Sequence, residues 1–390
     1  MTALSLIGYA LVVCIFLKPQ SAQWLFIIQG ISIFLNAINL EWLYSAKEEF
    51  GYIAARTIVI KVIMTCLIFL IVSNKANYLY YALILVSAPV VSSCINLYCM
   101  LRSTWIAPLH YSKDWKQHIA PILIFFIQTV SITVYTNMDS VMLGFFKGNY
   151  EVGIYDAAIK IKLILSYFVT SLSTVLLPKL SFYVAKGYHT KLREIISKTI
   201  QFSVLISFPI IIFFGIMADE TMEIVCGMQV PEGERLLQIL LPTVLLIGCS
   251  SLIGNQILTP LKKEKIAVTA YVFGAIVNVI LNFFLIPQWS VIGAAVATLI
   301  AEVTVVIVEV WHLRLEFLGL FKEISLKIPI VAALFPVPVL IFTKDRFLWL
   351  PAQLLFSSVV YGFVWVVLLA VLKEPFLRSR IKKLMKIVRK

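Results

Sequence analysis

The stretch Ile266–Trp311, IAVTAYVFGAIVNVILNFFLIPQWSVIGAAVATLIAEVTVVIVEVW, holds two apolar runs, 266–286 and 290–311, that meet at a corner beginning with Pro287. Each run is about the 20 residues that a helix needs to cross the hydrocarbon core of a bilayer. Pro287 ends the first run ahead of a tight turn. Gly274, Gly293, Ala294, Ala295 and Ala297 leave room for two helices to lie close together. The stretch therefore predicts a membrane-crossing helical hairpin.

The same pattern recurs along the chain. Working outward from the hairpin, apolar runs fall near 1–17, 22–43, 53–73, 78–100, 118–143, 151–177, 199–217, 236–258, 328–343 and 349–372. With 61% hydrophobic and 14% charged residues, little remains for a water-soluble domain. The runs are continuously apolar, whereas barrel strands alternate apolar and polar over about ten residues. The expected fold is all-α, a polytopic membrane helical bundle of about 12 transmembrane helices in two lobes.

Lysine and arginine distribution orients the bundle. About 23 of them follow the even-numbered runs and about six follow the odd-numbered ones, so the even-numbered connections and both termini are expected in the cytoplasm. The segment after the seventh run carries Asp219, Glu220, Glu223, Glu232 and Glu234 against Arg235, which suits the outer side. Topology accounts for the net charge of +13 without nucleic acid as a partner. The tail 373–390 spaces Leu377, Ile381, Leu384 and Val388 among lysines and arginines, the pattern of an amphipathic helix on anionic membrane lipids. The six cysteines have no paired spacing and the four histidines no HExxH or clustered set, so no metal, cofactor or catalytic site is expected. No soluble catalytic domain interrupts the runs, and the first run lacks the basic leader and cleavage site of a signal peptide.

Charges inside the runs carry the functional information, because each costs about 2.5 to 3.5 kcal/mol at mid-depth unless it meets a partner or water. Glu41 and Arg56 lie about equally far from the turn near Glu48 and can pair near the cytoplasmic face. Lys61 lies deeper on the same run as Arg56. Asp139 and Asp156 flank the turn at Lys147 and Gly148 at similar depth, and Lys160 sits one helical turn beyond Asp156. Either carboxylate can pair with Lys160 or face a cavity. Lys61, Lys160 and Lys162 predict a cationic lumen for an anion such as a phosphate. Glu302 sits mid-span, with Glu309 two turns on along the same face, and either can neutralise a lysine or carry a proton. Asn278 and Asn282, four apart, are read as interhelical hydrogen-bonding groups.

Three passages resemble a known family. EWLYSAKEEFGYIAARTI (Glu41–Ile58), NMDSVMLGFFKGNYEVGIYDAAIKI (Asn137–Ile161) with LLPKLS (Leu176–Ser181), and NQILTPLKKEK (Asn255–Lys265) with Gly274–Glu302 are similar to segments of Wzx-type polysaccharide flippases, members of the multidrug, oligosaccharidyl-lipid and polysaccharide (MOP) exporter superfamily. The resemblance numbers the first run of this chain as the family's third, so the opening hairpin is expected to be missing through a shortened reading frame or a natural truncation. It implies an incomplete amino-terminal lobe of four helices (1–117), a six-helix lobe (118–311), two additional helices (312–372) and the tail.

It further implies movement of an undecaprenyl-diphosphate-linked oligosaccharide, an O-antigen or capsule repeat unit, to the outer leaflet of a bacterial cytoplasmic membrane. A wet cleft between lobes would relieve the cost of dehydrating sugar hydroxyls. Other polysaccharide assembly proteins are possible partners. Lys61, Lys160, Lys162 and Arg56 would bind the diphosphate; Asp139, Asp156, Glu302 and Glu41 would couple an ion or pair internally. A drug or cation antiporter of the same superfamily, or an inert remnant, is the alternative.

Overall fold

The computed structural model describes residues 24–30, 40–46, 49–72, 74, 77–102, 119–317, 327–344 and 349–372. The first apolar run at 1–17 and the basic tail at 373–390 lie outside the described residues. So does half of the run at 22–43, of which 24–30 and 41–43 are helical.

The described chain is helical throughout its regular structure, as it must be where lipid offers no hydrogen bonds to the backbone. In chain order the helices are α1 (Glu41–Ala46), α2 (Phe50–Ile71), α3 (Tyr78–Arg102), α4 (Ile119–Phe146), α5 (Asn149–Ala185), α6 (His189–Ile216), α7 (Ala218–Cys226), α8 (Gly233–Leu240) and α9 (Pro242–Ser251). A π-helical turn, Leu252–Leu258, follows α9. After it come α10 (Glu264–Phe317), α11 (Lys327–Leu334), α12 (Val337–Thr343) and α13 (Leu350–Val371). Six helical stretches among the described residues are long and apolar enough to cross a membrane. The protein is a polytopic all-helical membrane bundle.

Boundaries depart from the apolar runs where a helix continues past the lipid. α6 begins at His189, ten residues before the run at 199, because HTKLREIISK is polar yet helix-compatible. α5 likewise extends to Ala185. The run at 236–258 is not one helix: Pro242, which has no N–H to give, starts α9 afresh, and the backbone then loosens into the π turn.

The opening hairpin of the sequence is one continuous element, α10, with a single non-helical joint at Ser290 (φ 48°, ψ −128°). Its two arms lie against each other: a Cβ added to Gly274 would come within 2.5 Å of the Val305 side chain. At the corner the fit is tighter still. A Cβ on Gly293 would lie 2.4 Å from the carbonyl oxygen of Leu285, so no other residue fits there without opening the turn.

The chain forms two compact units, residues 1–113 and 114–390. In the first, α2 packs along α3, and Ile28, Ala82 and Val86 form a small apolar core. In the second, α4 packs against α10, and α5, α6 and α9 close around them. Its core divides in two along the bundle axis. One cluster is built around Leu143, Tyr155, Leu237 and Ala294, the other around Ile196, Leu252, Leu258 and Val305. The additional helices join this unit through α6: Leu205 meets Ala332 and Leu369, and Phe213 meets Leu340 and Tyr361.

Candidate functional site

Between the two apolar clusters of the second unit runs a stripe of buried polar side chains. Helical spacing assembles it. Tyr135 and Asp139 share a face of α4, Tyr155 and Lys162 a face of α5, Asn278 and Asn282 a face of the first arm of α10. On the second arm Thr298, Glu302 and Glu309 recur at intervals of four and seven. All nine side chains are buried, Asp139 to 1% exposure and both asparagines to 0%.

Asp139 is the centre. One carboxylate oxygen accepts from Asn278 Nδ2 at 2.9 Å and from Asn282 Nδ2; the other accepts from Tyr155 Oη at 2.6 Å and from Thr298 Oγ1. Asn282 Nδ2 also donates to Asn278 Oδ1, and the Tyr155 and Thr298 hydroxyls lie 2.9 Å apart. Four donors on two oxygens is the pattern that an ionised carboxylate takes. Three helices are thereby tied together by one side chain.

The cage has a second chemical capability. Asn282 Oδ1 is buried without a hydrogen-bond partner. Each asparagine amide can turn its oxygen inward in place of its NH2, and the cage then offers two carboxylate, two amide and one threonine oxygen. An all-oxygen set with a single negative charge suits a hard monovalent cation such as sodium.

Farther along the stripe Glu302 accepts from Tyr135 Oη at 3.2 Å through one oxygen. Lys162 lies in the field of Glu302 and Asp139 without a direct ion pair to either among the described residues. Glu309, at 0% exposure, sits against Gly254 of the π turn and Tyr271 of the first arm.

The other sequence-derived candidates fall in both units and are described within each. Lys160 is exposed, since two residues of helix rotate it to the opposite side of α5 from Lys162. Of the two readings left open for Lys160, pairing with Asp139 or Asp156 is not seen among the described residues; Ser140 donates to Asp156 at 2.7 Å. In the first unit Lys61 is exposed on α2. Arg56 is buried there, bonded to Glu41 at 3.2 Å and to Asn96 Oδ1, with the Tyr52 ring 5.8 Å away. Asn96 in turn receives Tyr44 on its carbonyl oxygen at 3.0 Å. Arg56 is thus held by internal partners, and within the second unit Lys160 and Lys162 lie on opposite sides of α5. Sequence reasoning missed Tyr135, Tyr155, Tyr271 and Thr298, because single hydroxyls within apolar runs carry no signal until the helices are packed.

Comparison with known proteins adds the ancestry. The chain matches the family described as "Polysaccharide biosynthesis protein" over residues 2–184 and the family described as "MatE" over residues 125–284. Together these matches make residues 2–284 similar to the MOP exporter superfamily. That superfamily consists of transporters and flippases, not enzymes. A "Putative O-antigen transporter" of Shigella dysenteriae is 24% identical over 75% of this chain and 73% of its own. A "Probable low-salt glycan biosynthesis flippase" of Haloferax volcanii is 27% identical over 65% of this chain, but that alignment spans only 54% of the relative. Among solved structures, the lipid II flippase MurJ in an inward closed conformation superposes with a TM-score of 0.74 at 16% identity, covering 96% of this chain and 81% of that one. The fold is therefore MurJ-like despite the low identity.

Proposed function

We propose that the chain moves a lipid-diphosphate-linked oligosaccharide across a bacterial cytoplasmic membrane, with undecaprenol as the lipid, and that a monovalent cation bound at Asp139 is exchanged during the cycle. The observation that carries the ion-binding part is the Asp139 cage. A charged side chain at 1% exposure inside a membrane bundle is expensive, and helix packing alone needs no carboxylate. The superfamily similarity and the O-antigen and glycan relatives support the substrate class.

The physical task suits such a device. Sugar hydroxyls lose several kcal/mol each when they leave water unpartnered, so the headgroup needs a hydrated route while its lipid tail stays in the bilayer. Outward movement of two negative charges across about 100 mV is downhill by roughly 4.6 kcal/mol, which leaves the ion to reset the carrier. The exposed Lys61 and Lys160 are the proposed diphosphate contacts. Lys162 and Arg56 act as internal counter-charges for Glu302 and Glu41.

Deletion of the gene tests the assignment. Loss of surface polysaccharide with accumulation of lipid-linked repeat units, both reversed by complementation, is the expected result. Unchanged polysaccharide with altered sensitivity to cationic drugs would favour the second reading, a drug antiporter of the same superfamily, which the carboxylate cage also suits.

A further inference from the structure

Three carboxylates are buried in the second unit along one stripe, and the structure treats each differently. Asp139 is surrounded by four donors. Glu302 has the Tyr135 hydroxyl on one oxygen and Lys162 in its field. Glu309 has neither: it is 0% exposed, and both of its oxygens lack a hydrogen-bond partner. An ionised carboxylate in that position would have given up its water for nothing.

The surroundings of Glu309 contain no cation among the described residues. From α4 the nearest titratable group is Tyr135, from α9 Cys249, and from the first arm of α10 Tyr271. On its own arm Glu302 lies two turns away, and His312, one turn on, is exposed and turned to the Val308 carbonyl. The charge that α5 contributes, Lys162, faces Glu302 and Asp139. α8 carries only the exposed Glu234 and Arg235. The π turn presents Gly254, where an added Cβ would stand 3.0 Å from Glu309 Oε1 and 3.1 Å from the Tyr271 hydroxyl. Thus the backbone makes room for this carboxyl without giving it a donor. π turns form where an i→i+4 ladder has slipped, and such a turn can return to α-helical pairing.

We propose that Glu309 is a reversible proton-binding site, a carboxylic acid held neutral against the π turn Leu252–Leu258 and distinct from the cation cage at Asp139. The protein then handles two ions at two stations on one stripe, and deprotonation of Glu309 requires the π turn to open a path for water. This deepens the transport reading, yet its test needs no transport.

The full chain in lipid nanodiscs is examined by infrared difference spectroscopy during a pH titration. At neutral pH a carboxylic acid C=O band, sensitive to deuterium exchange, is expected; it should disappear reversibly as the pH is raised. Glu309→Gln should abolish it, whereas Asp139→Asn and Glu302→Gln should retain it. Gly254→Ala, which brings a methyl group against the carboxyl, should shift the pH at which the band is lost, and this second variant guards against a misfolded Glu309→Gln. No band in the wild type, a band that survives Glu309→Gln or that Asp139→Asn removes, or one that never titrates would overturn the proposal. Failure of the gene deletion to affect polysaccharide would instead strike the substrate assignment and leave these spectra intact.

Discussion

Replacement of Asp139 is the sharpest perturbation, because it acts on packing and on ion binding in different proportions. Asp139→Ala strands four donors, one on α5 and three on α10. A buried hydrogen bond between membrane helices is worth about 0.6 kcal/mol on average and about 1.7 at most, so four of them bound the loss at roughly 2 to 7 kcal/mol. Partial re-pairing, open to the Tyr155 and Thr298 hydroxyls that lie 2.9 Å apart, places the expected loss near the lower half of that range. Asp139→Asn keeps one acceptor oxygen and should lose about half as much.

The ion is read separately. A ligand that binds only the folded state raises the unfolding midpoint with its concentration, so sodium should stabilise the wild type relative to choline at equal ionic strength. Asp139→Asn removes the negative charge and should erase that sodium-dependent shift while retaining most of the intrinsic stability. The assay is thermal unfolding of detergent-solubilised protein followed by Trp fluorescence, compared as midpoints because a multi-span bundle need not unfold in two states. A sodium shift of wild-type size in Asp139→Asn, or none in the wild type, would refute the cation cage.

Other variants probe the remaining elements. Gly293→Ala, with its Cβ 2.4 Å from a backbone oxygen, should destabilise by about 3 kcal/mol or deplete the protein from membranes, whereas Gly362→Ala, with open space around it, should stay within about 0.5 kcal/mol; quantitative immunoblotting of membrane fractions compares them. Lys162→Ala removes the positive charge in whose field Glu302 lies and should lower the unfolding midpoint, while Lys61→Ala and Lys160→Ala, both at exposed positions, should reduce polysaccharide export at normal protein levels. Glu220 and Lys344 pair at 3.1 Å with side-chain exposures of 8% and 31%. Breaking the pair from the lysine side should therefore cost more than from the glutamate side, since the stranded glutamate is the better buried charge, and the two midpoints check the order.

The bundle was legible because lipid imposes a length and a composition on every crossing, and the runs at 53–73, 78–100, 118–143 and 349–372 correspond to α2, α3, α4 and α13 with small shifts. The π turn was not legible. Its residues, LIGNQIL, read as ordinary apolar helix, and what distinguishes them is the fit of Gly254 to a carboxylate 55 residues later. The polar stripe was half legible. Asp139, Lys162, Glu302 and Glu309 stand out as charges in apolar runs, and Asn278 and Asn282 as a shared face. Depth along a helix can be estimated from sequence, but rotation about it relative to neighbours cannot. Lys160 and Lys162 sit at nearly the same depth, and only packing shows that one points inward and the other outward.

That rotation also explains why a charge-rich stripe can exist in a stable membrane bundle. α10 supplies five of the nine stripe residues, and its arms are fixed against each other at Gly274 and Gly293, so Asn278, Asn282, Thr298, Glu302 and Glu309 behave as groups on one rigid body. α4 and α5 contribute the others from a second hairpin turned at Gly148. The Asp139 hydrogen bonds therefore run between two stiff hairpins, and any change in what Asp139 holds is felt as a change in how they are joined. Ser290 and Lys262, non-glycine residues at positive φ, and the π turn beside Glu309 are irregular backbone sites on or next to α10. A cation arriving at one end of the stripe and a proton leaving at the other would bias the same pair of hairpins, which is the physical requirement for coupling an ion to a movement.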